Sequence, residues 1–83
     1  MILVYALGGG LGHLVRARAF LHTLGLEGDA AIITASHHAA DRRVLGGIEA
    51  ILIPRELERD RLACRAWIAA LVDKRRPGIF CVD

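Results

Sequence analysis

The sequence predicts an α/β fold in which parallel strands form one sheet with helices on both faces. Short apolar runs rich in β-formers alternate along the chain with segments of helical periodicity, and glycine or proline stands at most of the boundaries. Alternating strands and helices imply parallel strands joined by right-handed crossovers. The 83 residues amount to one domain, and the 54% hydrophobic content suits strands that are covered on both sides.

Four segments are predicted to be strands, at residues 2–7, 30–35, 48–53 and 79–82. A doubly wound sheet of this kind has the order 3-2-1-4, with the fourth strand beside the first. The expected architecture is therefore a Rossmann-like β-α-β-α-β-α-β unit with a parallel four-stranded sheet.

Three helices are predicted, at residues 13–24, 37–45 and 56–76. Gly25 ends the first helix and Ser36 caps the second. The apolar stripes of the first and third helices consist of Leu14, Ala17, Leu21 and Leu24, and of Leu57, Cys64, Trp67, Ile68 and Leu71.

Charge and composition argue against a nucleic-acid or membrane-spanning protein. The net charge is only +2, and the arginines of residues 55–61 are interleaved with acids, which is typical of a solvated surface. No run approaches the ~20 apolar residues of a transmembrane helix, and residues 2–7 lack the basic leader of a signal peptide. Cys64 and Cys81 are expected to be buried free thiols, and we expect a cytoplasmic protein.

The chain stops at Asp83, directly after the fourth predicted strand. We therefore expect residues 1–83 to form a single N-terminal half-domain of a larger, two-domain protein.

A glycine-rich segment follows the first strand. Gly8, Gly9, Gly10 and Gly12 precede His13, where the first helix begins. Glycines allow backbone N–H groups to approach a ligand closely, and a helix N-terminus favours an anion. The segment is thus a candidate phosphate-binding loop.

The common nucleotide motifs fit this segment poorly. Gly8 and Gly10 match a dinucleotide fingerprint, but His13 takes the place of its third glycine and no acid ends the second strand. No lysine follows as in a P-loop. A tight turn without a ligand stays an open alternative.

Residues 8–17 resemble the start of GT-B glycosyltransferases, in particular the group related to the bacterial enzyme that adds N-acetylglucosamine during peptidoglycan synthesis. Residues 76–83 resemble the fourth strand of that family, where a proline precedes an apolar strand ending in Asp. Leu11 and Gly78 depart from the pattern, since a small polar residue and an acid are common there.

The resemblance implies a transferase that moves a sugar from a nucleotide-sugar donor to a hydroxyl acceptor. In that family the N-terminal half mainly binds the acceptor, and the C-terminal half holds most of the donor. The 83-residue chain alone would then be inactive and would need a partner domain or chain. No cofactor and no metal are implied.

Roles for individual residues follow from the same resemblance. His13 would be the general base for the acceptor hydroxyl, and Asp83 would orient it. The four glycines and Arg16 would hold a phosphate, which Arg18 could also reach. The alternatives are a His13 that caps the helix or binds phosphate, and an Asp83 that caps a loop.

Two other functions remain open on the sequence. One is a non-catalytic Rossmann-like or flavodoxin-like module that binds a phosphorylated ligand or a partner protein. The other is the acceptor subunit of a split glycosyltransferase. Replacing His13 by Ala would separate catalysis from binding.

Overall fold

A computed structural model describes residues 1–82. It contains a four-stranded, all-parallel sheet in the order β3-β2-β1-β4, which confirms the predicted architecture. The strands are β1 (Ile2–Ala6), β2 (Ala30–Thr34), β3 (Glu49–Leu52) and β4 (Ile79–Val82). The α-helices are α1 (Gly12–Leu24), α2 (Arg42–Leu45) and α3 (Arg61–Arg75).

The sheet buries its two central strands. β1 pairs with β2 from Ile2 opposite Ala30 to Ala6 opposite Thr34, and β4 pairs with the other side of β1. Every residue of β2 is buried, whereas β3 and β4 are largely exposed. Because all four strands are parallel, their carboxyl ends meet at one edge of the sheet.

Alternate residues of β1 supply two separate cores, one on each face of the sheet. On one face α1 packs against even-numbered residues of β1, and on the other α3 packs against Leu3. Trp67 packs against the second core as predicted. The first core includes Val4, Ala6, Leu14, Ala17, Leu21 and Ile32, and the second includes Leu3, Ala31, Ile33, Ile53 and Ile68.

Helix α1 ends as predicted, because Gly25 adopts a left-handed conformation (φ 69°) and its N–H bonds to the carbonyls of Leu21 and His22. The assignment of Leu24 to the buried stripe was wrong, since 51% of this residue is exposed. Leu24 lies in the last turn, toward the same side as exposed Phe20, and no element among residues 1–82 covers it.

The predicted second helix, 37–45, is two shorter elements. A 3₁₀ turn, His37–Ala40, begins at Ser36, whose Oγ accepts a hydrogen bond from the N–H of His38. Asp41 then takes an extended conformation, and its carboxylate accepts from the N–H of Arg43 to begin α2. Aspartate favours such a cap over a helix interior, so it divides the segment.

The third helix also begins later than predicted. Residues Arg55–Leu57 form a 3₁₀ turn, and Asp60, in an extended conformation, caps α3 by accepting from the N–H of Ala63 at 3.0 Å. The helix ends at Arg75, and Arg76 stands in the left-handed region before Pro77.

No helix among residues 1–82 is long and apolar enough to cross a membrane. Cys64 and Cys81 are free thiols as expected, but both are half-buried because each packs at the border of a core instead of inside it.

Candidate functional site

The glycine-rich loop joins β1 to α1 at the carboxyl edge of the sheet. Gly8 has a positive φ of 80°, a conformation that side chains of L-residues rarely adopt. No atom would lie within 4 Å of a Cβ added at Gly9, Gly10 or Gly12. The loop therefore needs glycine at position 8 for its conformation, whereas the other three leave open space beside the backbone.

The N-terminus of α1 has features that favour an anion. Gly12 is the first residue of this 13-residue helix, and its N-cap residue Leu11 makes no side-chain hydrogen bond to the helix. The first turn carries no acidic residue. Its backbone N–H groups thus lack a side-chain cap, and the helix dipole adds partial positive charge at the same end.

The topology of the sheet also favours ligand binding beside this loop. The crossover that contains α1 lies on one face, and the one that contains α3 lies on the other. The strand order therefore reverses between β1 and β4. Ligands of open α/β sheets bind outside the carboxyl ends of the strands at such a switch point.

His13 is half-buried in the first turn of α1, close to the loop. A Cβ at Gly8 would lie 3.9 Å from Cδ2 of its imidazole ring, so the structure brings these two predicted residues together. Arg16 stands one turn further along α1 and lines a groove of about 230 Å³ between α1 and β4. Asp83, the proposed partner of His13, lies outside the described residues.

A second opening lies on the α3 face of the loop. Gly8 and Gly9 line this cleft of about 340 Å³ together with Tyr5, His37 and Glu58. We call it the carboxyl-edge cleft; its wall is completed by Ala35, Ile53 and Cys64, and an adjoining hollow adds Arg61 and Arg65.

Sequence reasoning missed most of this cleft. Tyr5 was treated only as part of a buried strand, and Glu58 and Arg61 only as surface charge. A signal for Tyr5 was available, because it alternates with Val4 and Ala6 and must face α3 with Leu3. No such signal existed for Glu58, whose place depends on how the chain turns between β3 and α3.

Burial raises the pKa of the Tyr5 hydroxyl, and the neighbouring Cys64 raises that pKa further through charge repulsion and a hydrogen bond. The phenol is therefore neutral at ordinary pH. In the cleft it can donate or accept a hydrogen bond, but it is not a base.

Other predicted candidates have structural roles. Arg18 donates from Nη1 to the carbonyl oxygens of Arg43 (2.9 Å) and Val44 (3.0 Å), which ties α1 to α2. It is thus engaged away from the loop. Arg43 forms an ion pair with Asp41 on the surface.

Thr34 and Ser36 hold the end of β2. Both are fully buried, and the Thr34 hydroxyl accepts from the N–H of Ser36 at 3.0 Å. This turn places His37 at the cleft.

Comparison of the chain with protein-family models, curated proteins and solved structures finds no match. Within residues 1–82, no three His, Cys, Asp or Glu side chains cluster in a way that could hold a metal ion.

Proposed function

We propose that this chain is the acceptor-binding part of a glycosyltransferase of the GT-B type. The observation that supports the proposal most is the open glycine loop, which precedes an α1 N-terminus without a side-chain cap at the switch point of the sheet. A phosphate of the acceptor would bind the N–H groups of residues 8–12, and Arg16 would add a positive charge nearby.

His13 is the proposed general base. An imidazole is the side chain most often used for general-base catalysis near neutral pH, and His13 lies at the N-terminal turn of α1 beside the glycine loop. It would take the proton of the acceptor hydroxyl as that oxygen attacks the anomeric carbon, while the nucleoside diphosphate leaves with the bonding electrons. Asp83 would stabilise the resulting imidazolium.

The nucleotide-sugar donor would be held mainly by a second unit, as the resemblance to GT-B enzymes implies. A cytoplasmic location is part of the same proposal, and the free thiols of Cys64 and Cys81 are compatible with a reducing compartment.

Acceptor binding can be tested by following backbone amide NMR signals while a glycosyl phosphate is added. The signals of residues 8–13 should shift. Gly10→Asp should weaken binding by about tenfold or more, because the new carboxylate repels the anion. Space is open around Gly10, and its φ is negative, so the variant should fold.

Gly47→Asp is the matched control, since Gly47 has the same open surroundings in the turn between α2 and β3. It should leave binding unchanged. Unshifted loop signals would refute the proposed site. Equal affinity for inorganic phosphate and the glycosyl phosphate would indicate a phosphate-binding module without an acceptor site.

Catalysis requires a separate measurement in the enzyme assembled with its donor-binding unit. His13→Ala should retain acceptor binding and lower the rate of sugar transfer by about 10²–10⁴-fold, the usual contribution of a general base. A transfer rate close to that of the unchanged protein would exclude His13 as the base.

A further inference from the structure

The carboxyl-edge cleft lies over the ends of β1, β2 and β3. Tyr5 comes from β1 and Cys64 from α3, and the other lining residues lie in the segments that follow β1, β2 and β3. Within residues 1–82, no residue of β4 lines the cleft. The described walls are thus formed by interior parts of the chain, without the edge strand β4.

The least exposed residues of the cleft are apolar or aromatic. Ile53 is buried, and Tyr5 and Ala35 are half-buried where they pack against the core on the α3 face. These side chains form the floor of the cleft. An apolar floor of this kind excludes water from one face of a bound ring and contacts its C–H groups.

The rim of the cleft carries hydrogen-bonding groups. His37 and Glu58 are exposed, and Tyr5 adds a neutral hydroxyl. A carboxylate accepts hydrogen bonds, whereas an imidazole and a phenol each donate and accept. Among the described residues no lysine or arginine lines the cleft, since Arg61 and Arg65 belong to the adjoining hollow. The rim therefore suits a neutral group with several hydroxyls better than an anion.

The cleft adjoins the candidate phosphate-binding loop. Gly8 and Gly9 line the cleft and also belong to the glycine loop. A phosphate at the N–H groups of the loop and a ring in the cleft can therefore be neighbouring parts of one molecule. The cleft volume of about 340 Å³ is near the lower end for ligand pockets, roughly 300–1,000 Å³, and suits a single ring.

We propose that the carboxyl-edge cleft binds the pyranose ring of a glycosyl phosphate whose phosphate lies at the glycine loop. Glu58 accepts hydrogen bonds from ring hydroxyls, His37 and the Tyr5 hydroxyl bind others, and the apolar floor contacts the C–H face of the ring. This placement rests on the proposed function, because it assigns the part of the acceptor next to the phosphate. Glu58 then sets the preference for a sugar over other phosphate esters, since hydrogen bonds to a carboxylate are strong.

Four phosphate monoesters test the placement: glucose 1-phosphate, galactose 1-phosphate and mannose 1-phosphate, with glycerol 1-phosphate as the ester without a ring. Backbone amide NMR titration of the full chain gives the affinities. At least one hexose phosphate should bind about tenfold more tightly than glycerol 1-phosphate. It should shift the signals of His37 and Glu58 together with those of the loop.

The pattern of shifts separates failure of this placement from failure of the proposed function. Equal affinities for all four esters, with shifts confined to the loop, would overturn the cleft as the ring site and leave the phosphate site standing. Shifts at His37 and Glu58 without any in the loop would instead overturn the phosphate site of the proposed function.

A pair of glutamate variants tests the role of Glu58. Glu58→Ala should lower the preference for the hexose phosphate over glycerol 1-phosphate about tenfold, because the ring hydroxyls lose their acceptor. Glu56→Ala is the matched control, since Glu56 is exposed, lies two residues earlier and does not line the cleft. It removes the same charge and should retain the preference. Equal effects of the two variants would exclude a hydrogen bond from the ring to Glu58.

Discussion

At the scale of single residues, the glycine loop has two kinds of position. Gly8 has a positive φ, whereas Gly9, Gly10 and Gly12 do not. The sequence predicted a loop that could approach a ligand, but it did not distinguish these positions, because backbone dihedrals at consecutive glycines are not encoded by any side chain. The contact between the loop and His13 was predictable, since both adjoin the first helix turn.

The loop conformation can be tested by comparing two alanine variants. Gly8→Ala should lower the free energy of unfolding by about 1–2 kcal/mol, the usual cost of the left-handed conformation for an L-residue. The cost is conformational, because the nearest atom to the added Cβ is at the ordinary contact distance of 3.9 Å.

Gly9→Ala is the control, as it has neither a positive φ nor a neighbour within 4 Å. Urea denaturation, carried out at the same protein concentration, measures the free energy of unfolding of both variants. Equal losses of stability would contradict the assigned conformation of Gly8.

At the scale of elements, aspartates define where helices begin. Asp41 and Asp60 each take an extended conformation and accept a hydrogen bond from a backbone N–H ahead of them. The apolar periodicity of the sequence continues through Asp41 and Asp60. On its own it therefore predicted second and third helices that were too long. The signal was present in the residue type, because Asp is a preferred N-cap and a poor interior residue.

Removal of the Asp60 cap should destabilise α3. Asp60→Ala leaves the N–H of Ala63 without its acceptor and should lower the free energy of unfolding by about 1 kcal/mol. Asp60→Asn should retain most of the stability, since an amide oxygen also caps. Thermal unfolding monitored by circular dichroism measures the series, and an Asn variant as unstable as the Ala variant would argue against a capping role.

At the scale of the whole molecule, sequence reasoning recovered the strand order but not how much of each strand is buried. The order follows from rules of crossover handedness that hold for any alternating α/β chain. Burial of β3 and β4 does not follow from those rules, because Ala50 and Phe80 are apolar in the sequence and yet lie at edges that nothing among residues 1–82 covers. The carboxyl-edge cleft was missed for a similar reason, since it is formed by residues distant in sequence.

The ion pair between Glu49 and Arg75 should make the free energy of unfolding depend on pH. The hydrogen bond from Arg75 lowers the pKa of Glu49 below its ordinary value of 4.5, against a smaller opposing effect of burial. Because the folded-state pKa lies below that of the unfolded chain, this stabilisation is present above pH 4.5 and is lost as the pH falls through the folded value.

Unfolding in urea at several pH values checks this dependence. Glu49→Gln should be less stable than the unchanged protein at neutral pH, and the difference should vanish in acid. Glu56→Gln, at an exposed position, is the control. A difference between Glu49→Gln and the unchanged chain that does not change with pH would rule out the ion pair as its source.

The pairing of β1 with β4 has a consequence for how the molecule folds. Ile2 lies opposite Ile79, so this strand pair joins residues that are far apart in the sequence. Contacts of such large sequence separation slow folding, because a long loop must close before they form. During synthesis β1 can pair with β2 early, but its other side stays open until residue 82 has left the ribosome. One side of this central strand therefore stays unpaired in the nascent chain until β4 has emerged.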